Sequence, residues 1–197
     1  FDPESEKIVN GFRERTEELE QSMCTPEQRK EYTDALTELT KLEESDQLYH
    51  ITNIGSTYDR EKGGTYYNAE DKSVCVEFDG KDGNLAHELK HAFQYETGKL
   101  SFKKDGSGFG ELYDVTDEIS ALRRGGAWDK KQIETLRNVK YAYKFSVKNN
   151  PNIDSYYPFL DKAPNKHSLV GHRTTTRKVE NAQSLGLDLS NDYYRMP

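Results

Sequence analysis

The segment NLAHELKHAFQYETG, residues 84–98, places two histidines four positions apart within a pattern that predicts a helix. Asn84 is suited to cap the start of this helix, and Gly98 is suited to a left-handed stop at its end. A helix turns about 100° and rises about 1.5 Å per residue, so His87 and His91 lie on one face, roughly 6 Å apart along the axis. Two imidazoles in this arrangement can bind one tetrahedral cation.

Glu88 follows the first histidine directly and lies one step around the helix. It is near enough to contact a water on the metal but badly placed to be a ligand beside both histidines, which is the geometry of the HExxH motif of metallopeptidases. Zinc lowers the pKa of a bound water towards about 7, and a neighbouring carboxylate can take the proton as the water attacks a carbonyl. We therefore expect Glu88 to act as the general base and to pass the proton to the leaving amine.

A catalytic zinc usually has a third protein ligand and an open position, and Glu118 in the segment DEISALRRG is the best candidate for that ligand. Burying a carboxylate on an apolar stripe is costly unless a cation or hydrogen bonds compensate it, and metal binding would do so. Small Ala121 would let this helix approach the first. The apolar neighbours of Glu118 on its stripe are Val115, Ala121 and Leu122, and the rival ligands are Glu111, Asp114 and Asp117.

Amphipathic spacing predicts further helices along the chain. A capping box at Thr25 and Gln28 marks the start of one of them. The predicted helices cover residues 3–22 and Thr25 to about Leu42, within a helical N-terminal region of residues 1–45, and then about 114–124 and 129–147.

Short runs of β-branched and aromatic residues predict strands, which lie at 47–54, 64–69 and 73–78. The last two are expected to form a hairpin. Residues 149–197 contain prolines and little periodicity, so we expect an irregular C-terminal segment. The 197 residues are treated as one domain of the α+β class, with a small mixed or antiparallel sheet packed against helices.

Composition limits the partners that the chain can bind. Lys and Arg number 28 and Asp and Glu 35, which gives a net charge of −7. That balance argues against a nucleic-acid surface and against binding to an anionic membrane. The chain has no run of about 18 apolar residues, so we expect no membrane span. Cys24 and Cys75 fit neither a disulfide scaffold nor a four-cysteine zinc site and leave the redox compartment open.

Other polar residues receive more ordinary expectations. Lys90, inside the motif, is expected to be exposed, and His50 to be a structural or surface residue. Arg123 and Arg124 are expected to complement the C-terminal end of their helix, and the alternative is that they bind a substrate carboxylate. His167 and His172 are expected at the surface, although one of them could approach the substrate. The candidate donors to an oxyanion are Tyr113, Tyr141, Tyr143 and His172.

With HELKHA at 87–92 and DEISA at 117–121, the middle third of the chain resembles the zincin metallopeptidases, in the branch whose third ligand is a glutamate in an E-x-x-A setting. This resemblance implies Zn²⁺ bound by His87, His91 and Glu118, and catalysis by Glu88. It also implies a mixed fold in which the edge of a sheet holds an extended peptide, and the segment SVCVEF is our candidate for that edge strand.

The run GGTYYNAEDKSVCVEFDGKDGNLAHELKHAFQYETGKLSF, followed by YDVTDEISALRRG, is more narrowly similar to the C-terminal toxin domains of bacterial RHS-repeat polymorphic toxins, and more distantly to effector-type metallopeptidases. The resemblance implies a secreted domain, delivered into a target cell as part of a larger toxin, with a cognate immunity protein as partner. The chain begins at Phe1 without Met and without an apolar signal region, which fits such a release.

Two departures from related patterns bear on the site. Leu122 stands four positions after Glu118, where thermolysin-like enzymes have Asp, so the carboxylate that supports the ligands is expected at Asp114 or Asp117. The third histidine and the downstream Met turn of metzincins are also missing.

The leading expectation is a zinc-dependent endopeptidase acting on a protein or peptide as a secreted effector or toxin. One alternative is a zinc amidase that acts on a cell-wall or small-molecule amide. Another is a non-enzymatic acidic binding module, in which HELKH is ordinary helix surface.

Overall fold

The computed structural model describes residues 1–55, 63–106, 108–113, 115–129, 178–184 and 186–196. Within these ranges the architecture is mixed α and β, in agreement with the α+β class. None of the helices in these ranges combines the length and hydrophobicity that a bilayer span requires. The helices are α1 Pro3–Gln21, α2 Pro26–Glu43, α3 Asp82–Glu96, α4 Val115–Asp129 and α5 Val179–Ser184. The strands are β1 Tyr49–Asn53, β2 Gly63–Asn68, β3 Ser73–Phe78, β4 Phe102–Lys103 and β5 Asp192–Tyr193.

The two N-terminal helices begin where their capping residues predict. The Asp2 carboxylate accepts the main-chain N–H groups of Glu4 and Ser5 at the start of α1. At the start of α2, Thr25 and Gln28 form the predicted capping box, with both reciprocal hydrogen bonds present. Such caps satisfy N–H groups that the first turn of a helix leaves free.

A three-stranded mixed sheet lies beside these helices in the order β1, β3, β2. The predicted hairpin is confirmed, because β2 pairs antiparallel with β3, while β1 pairs parallel with β3. The prediction that the segment SVCVEF is an edge strand is wrong, since it forms β3 at the centre. Its alternation of buried and partly exposed side chains reports which face meets the core, but not how many strands flank it.

The outer edge of β1 is covered by the start of α1. The Ile51 N–H donates to Ser5 Oγ at 2.7 Å, and the ring of Phe1 contacts that of Tyr49. His50 has the expected structural role, with Nδ1 lying 2.6 Å from the Asp2 carboxylate. These contacts leave β2 as the other edge of the sheet.

Helices α3 and α4 cross at a pair of glycines. A Cβ atom on Gly125 would lie 2.6 Å from the carbonyl oxygen of Gly83 and 3.2 Å from His87 Cβ. Ala121 is fully buried, as the sequence suggests, but the backbones approach each other at the glycines. The predicted end of this helix near residue 124 is wrong: it continues to Asp129, because tertiary packing outweighs the low helix propensity of glycine.

Charged side chains join both crossing helices to α2, and two expectations fail there. Lys90 is not exposed: its ammonium donates to Glu38 at 2.6 Å in a largely buried pair. Arg124 lies mid-helix rather than at an end and is buried in ion pairs with Glu31 and Glu38. Arg123 is exposed.

The portion of 149–197 that the structure describes is not wholly irregular. It contains α5 and β5, and β5 pairs antiparallel with β4. Cys24 and Cys75 are both free. The predicted helix over 129–147, apart from its first residue, and residues 149–177 lie outside the described residues.

Candidate metal centre

Helix α3 carries the HELKH motif and has both ends near their predicted positions. It begins at Asp82, two residues before Asn84, so the expectation that Asn84 caps it is wrong. The Asn84 amide oxygen instead accepts the Asp79 N–H at 2.9 Å and fastens the turn that enters the helix. The helix ends at Glu96, and Gly98 has a φ of 67°, which is the left-handed stop that the sequence predicts.

Three side chains from α3 and α4 converge, as the sequence predicts. His87 Nε2 and His91 Nε2 lie 3.2 Å apart. Glu118 Oε1 lies 3.6 Å from His87 Nε2, and Glu118 Oε2 lies 3.3 Å from His91 Nε2. Among the described residues, these three form the group of His, Cys, Asp and Glu that could hold a metal ion.

The separations are of the size found in a zinc site. Ligand atoms about 2.05 Å from zinc stand about 3.3 Å from one another at tetrahedral angles. The two histidine nitrogens are 3.2 Å apart, and each lies 3.3 to 3.6 Å from a different oxygen of the Glu118 carboxylate. The His91 and Glu118 side chains are each 2% exposed, whereas His87 is 16% exposed, so the set opens to solvent on the His87 side.

Two of the rival ligands, Glu111 and Asp117, are not members of this group. The third, Asp114, lies outside the described residues. Asp117 is buried one position before Glu118, and burial raises its pKa well above the usual range. The expectation that Asp114 or Asp117 supports a ligand stays a prediction.

The Glu118 carboxylate is buried yet held in its charged form. Burial alone would raise its pKa, but His87, His91 and the Tyr113 hydroxyl lower it to about 2. Tyr113, one candidate donor to an oxyanion, directs its hydroxyl to Glu118 Oε2 at 2.6 Å. The other candidates, Tyr141, Tyr143 and His172, lie outside the described residues, as does His167.

Glu88 is a second buried carboxylate beside the same histidines, but its proton affinity is different. Burial raises its pKa to about 7, against the opposing effects of His87 and of a hydrogen bond from Thr65. Thr65 Oγ1 lies 2.9 Å from Glu88 Oε2, and Glu88 Oε1 lies 3.9 Å from His87 Nε2. Two neighbouring carboxyl groups with separated pKa values can divide two tasks, one as a charged ligand and one as an acid or base.

Gln94 contacts the other ring nitrogen of His91, and sequence reasoning missed it. Its Oε1 lies 2.8 Å from His91 Nδ1, and its Nε2 donates to the main-chain carbonyl of Asp117 at 2.9 Å. The available signal was the spacing of three positions along one helix, which brings the two side chains together.

Residues 108–113, here called the aromatic loop, line the site beside His91. The Phe109 ring stacks on Tyr113 at 4.1 Å between centroids and contacts the His91 ring at 4.9 Å. Asp192 holds this loop, since its Oδ2 accepts from the Glu111 N–H at 2.6 Å and from the Ser101 hydroxyl at 2.7 Å. No local pattern in the sequence could reveal a contact across 91 positions.

Comparison of the chain with protein-family models, curated proteins and solved structures found no match.

Proposed function

We propose that the chain is a zinc-dependent metallopeptidase with a zincin-like site, in which His87, His91 and Glu118 bind Zn²⁺ and Glu88 is the general base. The observation that carries the proposal is the convergence of His87, His91 and Glu118 into a group that could hold one metal ion, with a second buried carboxylate, Glu88, beside His87. The donor set of two imidazoles and one carboxylate is one that catalytic zinc uses.

The protein side chains divide the work of the reaction between them. Bound zinc would supply a Lewis acid that polarises a peptide carbonyl and lowers the pKa of a water molecule. Thr65 contacts Oε2 of Glu88 and leaves Oε1, on the side of His87, to take a proton from the attacking water. Burial favours the protonated form of Glu88, so its carboxyl group can hold that proton before releasing it to the leaving amine.

The edge strand β2 is the place where an extended substrate could pair with the sheet. Its Thr65 contacts Glu88, so the strand runs directly beside the proposed base. The outer edge of β1 is covered by α1, and main-chain hydrogen bonds from the described residues reach β2 only from β3. An unpaired edge can accept a peptide as an added strand, so β2 takes the role that the sequence pattern assigns to β3.

Replacing Glu88 with Gln tests the catalytic proposal. We expect Glu88→Gln protein to retain stoichiometric zinc by elemental analysis and to lose cleavage, measured as new peptide termini in a mixed proteome. Glu17→Gln, on the exposed face of α1, is the matched control and should keep both properties. A fully active Glu88→Gln protein would refute the role of the base.

The same measurements, with cell-wall material added as a second substrate, separate the alternatives. A zinc amidase would leave the proteome unchanged and release fragments from cell-wall material. A non-enzymatic module would bind no zinc; its premise that HELKH is ordinary helix surface is opposed by the burial of Glu88 and His91.

We also propose that the domain is a secreted toxin or effector, delivered as part of a larger chain and neutralised by an immunity protein. Support comes from the similarity of the segments around β2, β3, α3 and α4 to RHS-repeat toxin domains. Expression of the active chain in bacterial and eukaryotic hosts should stop growth in at least one of them, and Glu88→Gln should not. Unimpaired growth in all hosts would contradict this proposal and leave the zinc chemistry untouched.

A further inference from the structure

A buried hydrogen-bond chain leads from His91 through Gln94 to the first turn of α4. Gln94 is 2% exposed, and both ends of its amide have a partner. The acceptor on α4 is the carbonyl of Asp117, the residue directly before Glu118. Gln94 therefore contacts one imidazole of the metal group and the backbone beside its carboxylate.

The chemistry of the two partners fixes the direction of this chain. A main-chain carbonyl can only accept a hydrogen bond, so the Gln94 nitrogen must face Asp117. The Gln94 oxygen then faces His91 Nδ1, and because that oxygen can only accept, Nδ1 must carry the proton. In a neutral imidazole the lone pair consequently lies on Nε2, the atom that points to His87 and Glu118.

Glu118 favours the opposite tautomer of His91. With its proton on Nε2, His91 could donate to Glu118 Oε2, which lies 3.3 Å away. Such a ring would have no lone pair to offer at the metal position. In the metal-free protein Glu118 thus favours the Nε2–H tautomer, which cannot bind a metal through Nε2. Gln94 opposes this tautomer because its amide oxygen can only accept a hydrogen bond from Nδ1.

We propose that Gln94 is a positioning residue that holds His91 as the Nδ1–H tautomer and so prepares Nε2 to bind the metal. The effect on metal binding rests on the proposed function. The tautomer itself is a property of the metal-free protein. Hydrogen bonds to the far nitrogen of a metal-binding histidine orient the ring and tune its affinity.

Two substitutions separate the tautomer from the structural link to α4. Gln94→Met has nearly the same size and removes both hydrogen bonds. Gln94→Glu keeps an acceptor for His91 Nδ1 but loses the donor to Asp117. Gln47→Met, which removes an amide that donates to the Leu48 and Lys72 carbonyls away from the site, is the matched control.

The first readout is the ¹⁵N spectrum of histidine-labelled, metal-free wild-type protein at about pH 9, where an ordinary imidazole is neutral. The His91 signals, assigned with a His91→Gln variant, should show the proton on Nδ1. A proton on Nε2 of His91 overturns the proposal, whether or not the protein binds zinc or any variant folds.

The second readout is zinc affinity by competition with a chelator. Gln94→Met should bind zinc about 10- to 100-fold more weakly, whereas Gln94→Glu and Gln47→Met should stay within a few-fold of wild type. Unchanged affinity in Gln94→Met, or equal losses in Gln94→Met and Gln94→Glu, would overturn the proposal. Failure of wild-type protein to bind zinc would instead refute the proposed function, and the tautomer measurement would still stand.

Discussion

The close contact between α3 and α4 makes Gly125→Ala an informative perturbation. The added Cβ would lie 2.6 Å from the Gly83 carbonyl oxygen, whereas ordinary contacts are 3.4 Å or longer. The helices would have to separate by a substantial fraction of an ångström, because the Gly83 oxygen and His87 Cβ, 3.2 Å from the added atom, are both fixed to the α3 backbone. That separation would move His87 and His91 away from Glu118.

Two opposing terms decide the effect on stability. Alanine in a helix interior is favoured over glycine by about 0.8 to 1.0 kcal/mol. Overpacking in a closely packed region costs about 1 to 3 kcal/mol. We therefore expect Gly125→Ala to lower the free energy of unfolding of the metal-free protein by up to about 2 kcal/mol.

Gly11→Ala provides the matched control on α1. There the added Cβ would meet only the end of the flexible Arg15 side chain, at 3.1 Å. The higher helix propensity of alanine should therefore decide the result, and the free energy of unfolding should rise by up to about 1 kcal/mol.

Urea unfolding with and without zinc measures both effects. Ligand binding stabilises the folded state by RT ln(1 + [L]/Kd), so each tenfold loss of zinc affinity removes about 1.4 kcal/mol of the zinc-dependent gain. We expect a loss of at least about that size for Gly125→Ala and none for Gly11→Ala. If Gly125→Ala were as stable as Gly11→Ala and kept the full zinc-dependent gain, the glycine contact would not set the ligand spacing.

Three further outcomes follow from contacts around the site and at the N-terminus. Thr65→Val should keep zinc but lower kcat/KM about tenfold, because it removes the hydrogen bond that holds the Glu88 carboxylate. Thr65→Ser keeps a hydroxyl and should have nearly wild-type kcat/KM. Equal kcat/KM in the two variants would exclude this hydrogen bond from catalysis. Asp192→Ala should cost about 1 to 3 kcal/mol in urea unfolding, because it removes the buried oxygen that accepts two hydrogen bonds, whereas exposed Asp188→Ala should cost little. Burial would raise the pKa of Asp2, but hydrogen bonds at the start of α1 lower it below its usual range, so its contribution is complete above about pH 4 and is lost as the pH falls further. The stability difference between wild type and Asp2→Asn should therefore shrink on acidification, and a difference that grew instead would contradict the assignment.

Features set by neighbouring positions in the chain could be predicted from the sequence. The capping box at Thr25, the hairpin of β2 and β3, and the facing pair His87 and His91 all depend on spacings of a few residues. Glu118 could be selected as well, because a carboxylate on an apolar stripe requires compensation wherever that stripe packs.

Features set by tertiary contacts could not be predicted in this way. The alternation in β3 indicates a buried face but does not say that strands pair on both sides. The glycine that follows Arg124 favours a helix end there, yet the contact of Gly125 with α3 carries the helix onward. Nothing in the local sequence distinguishes Thr65 from other strand residues, because its contact with Glu88 depends on how β2 packs against α3.

The link from Asp192 to Ser101 and the aromatic loop has a consequence for biosynthesis. The two residues are 91 positions apart, and at about 5 to 20 residues per second a ribosome needs roughly 5 to 18 s to cover that distance. During that interval the nascent polypeptide already contains both histidines and Tyr113, but the contacts of Asp192 with Ser101 and the aromatic loop cannot yet form. Translation itself therefore imposes a delay between making the ligands and completing their enclosure.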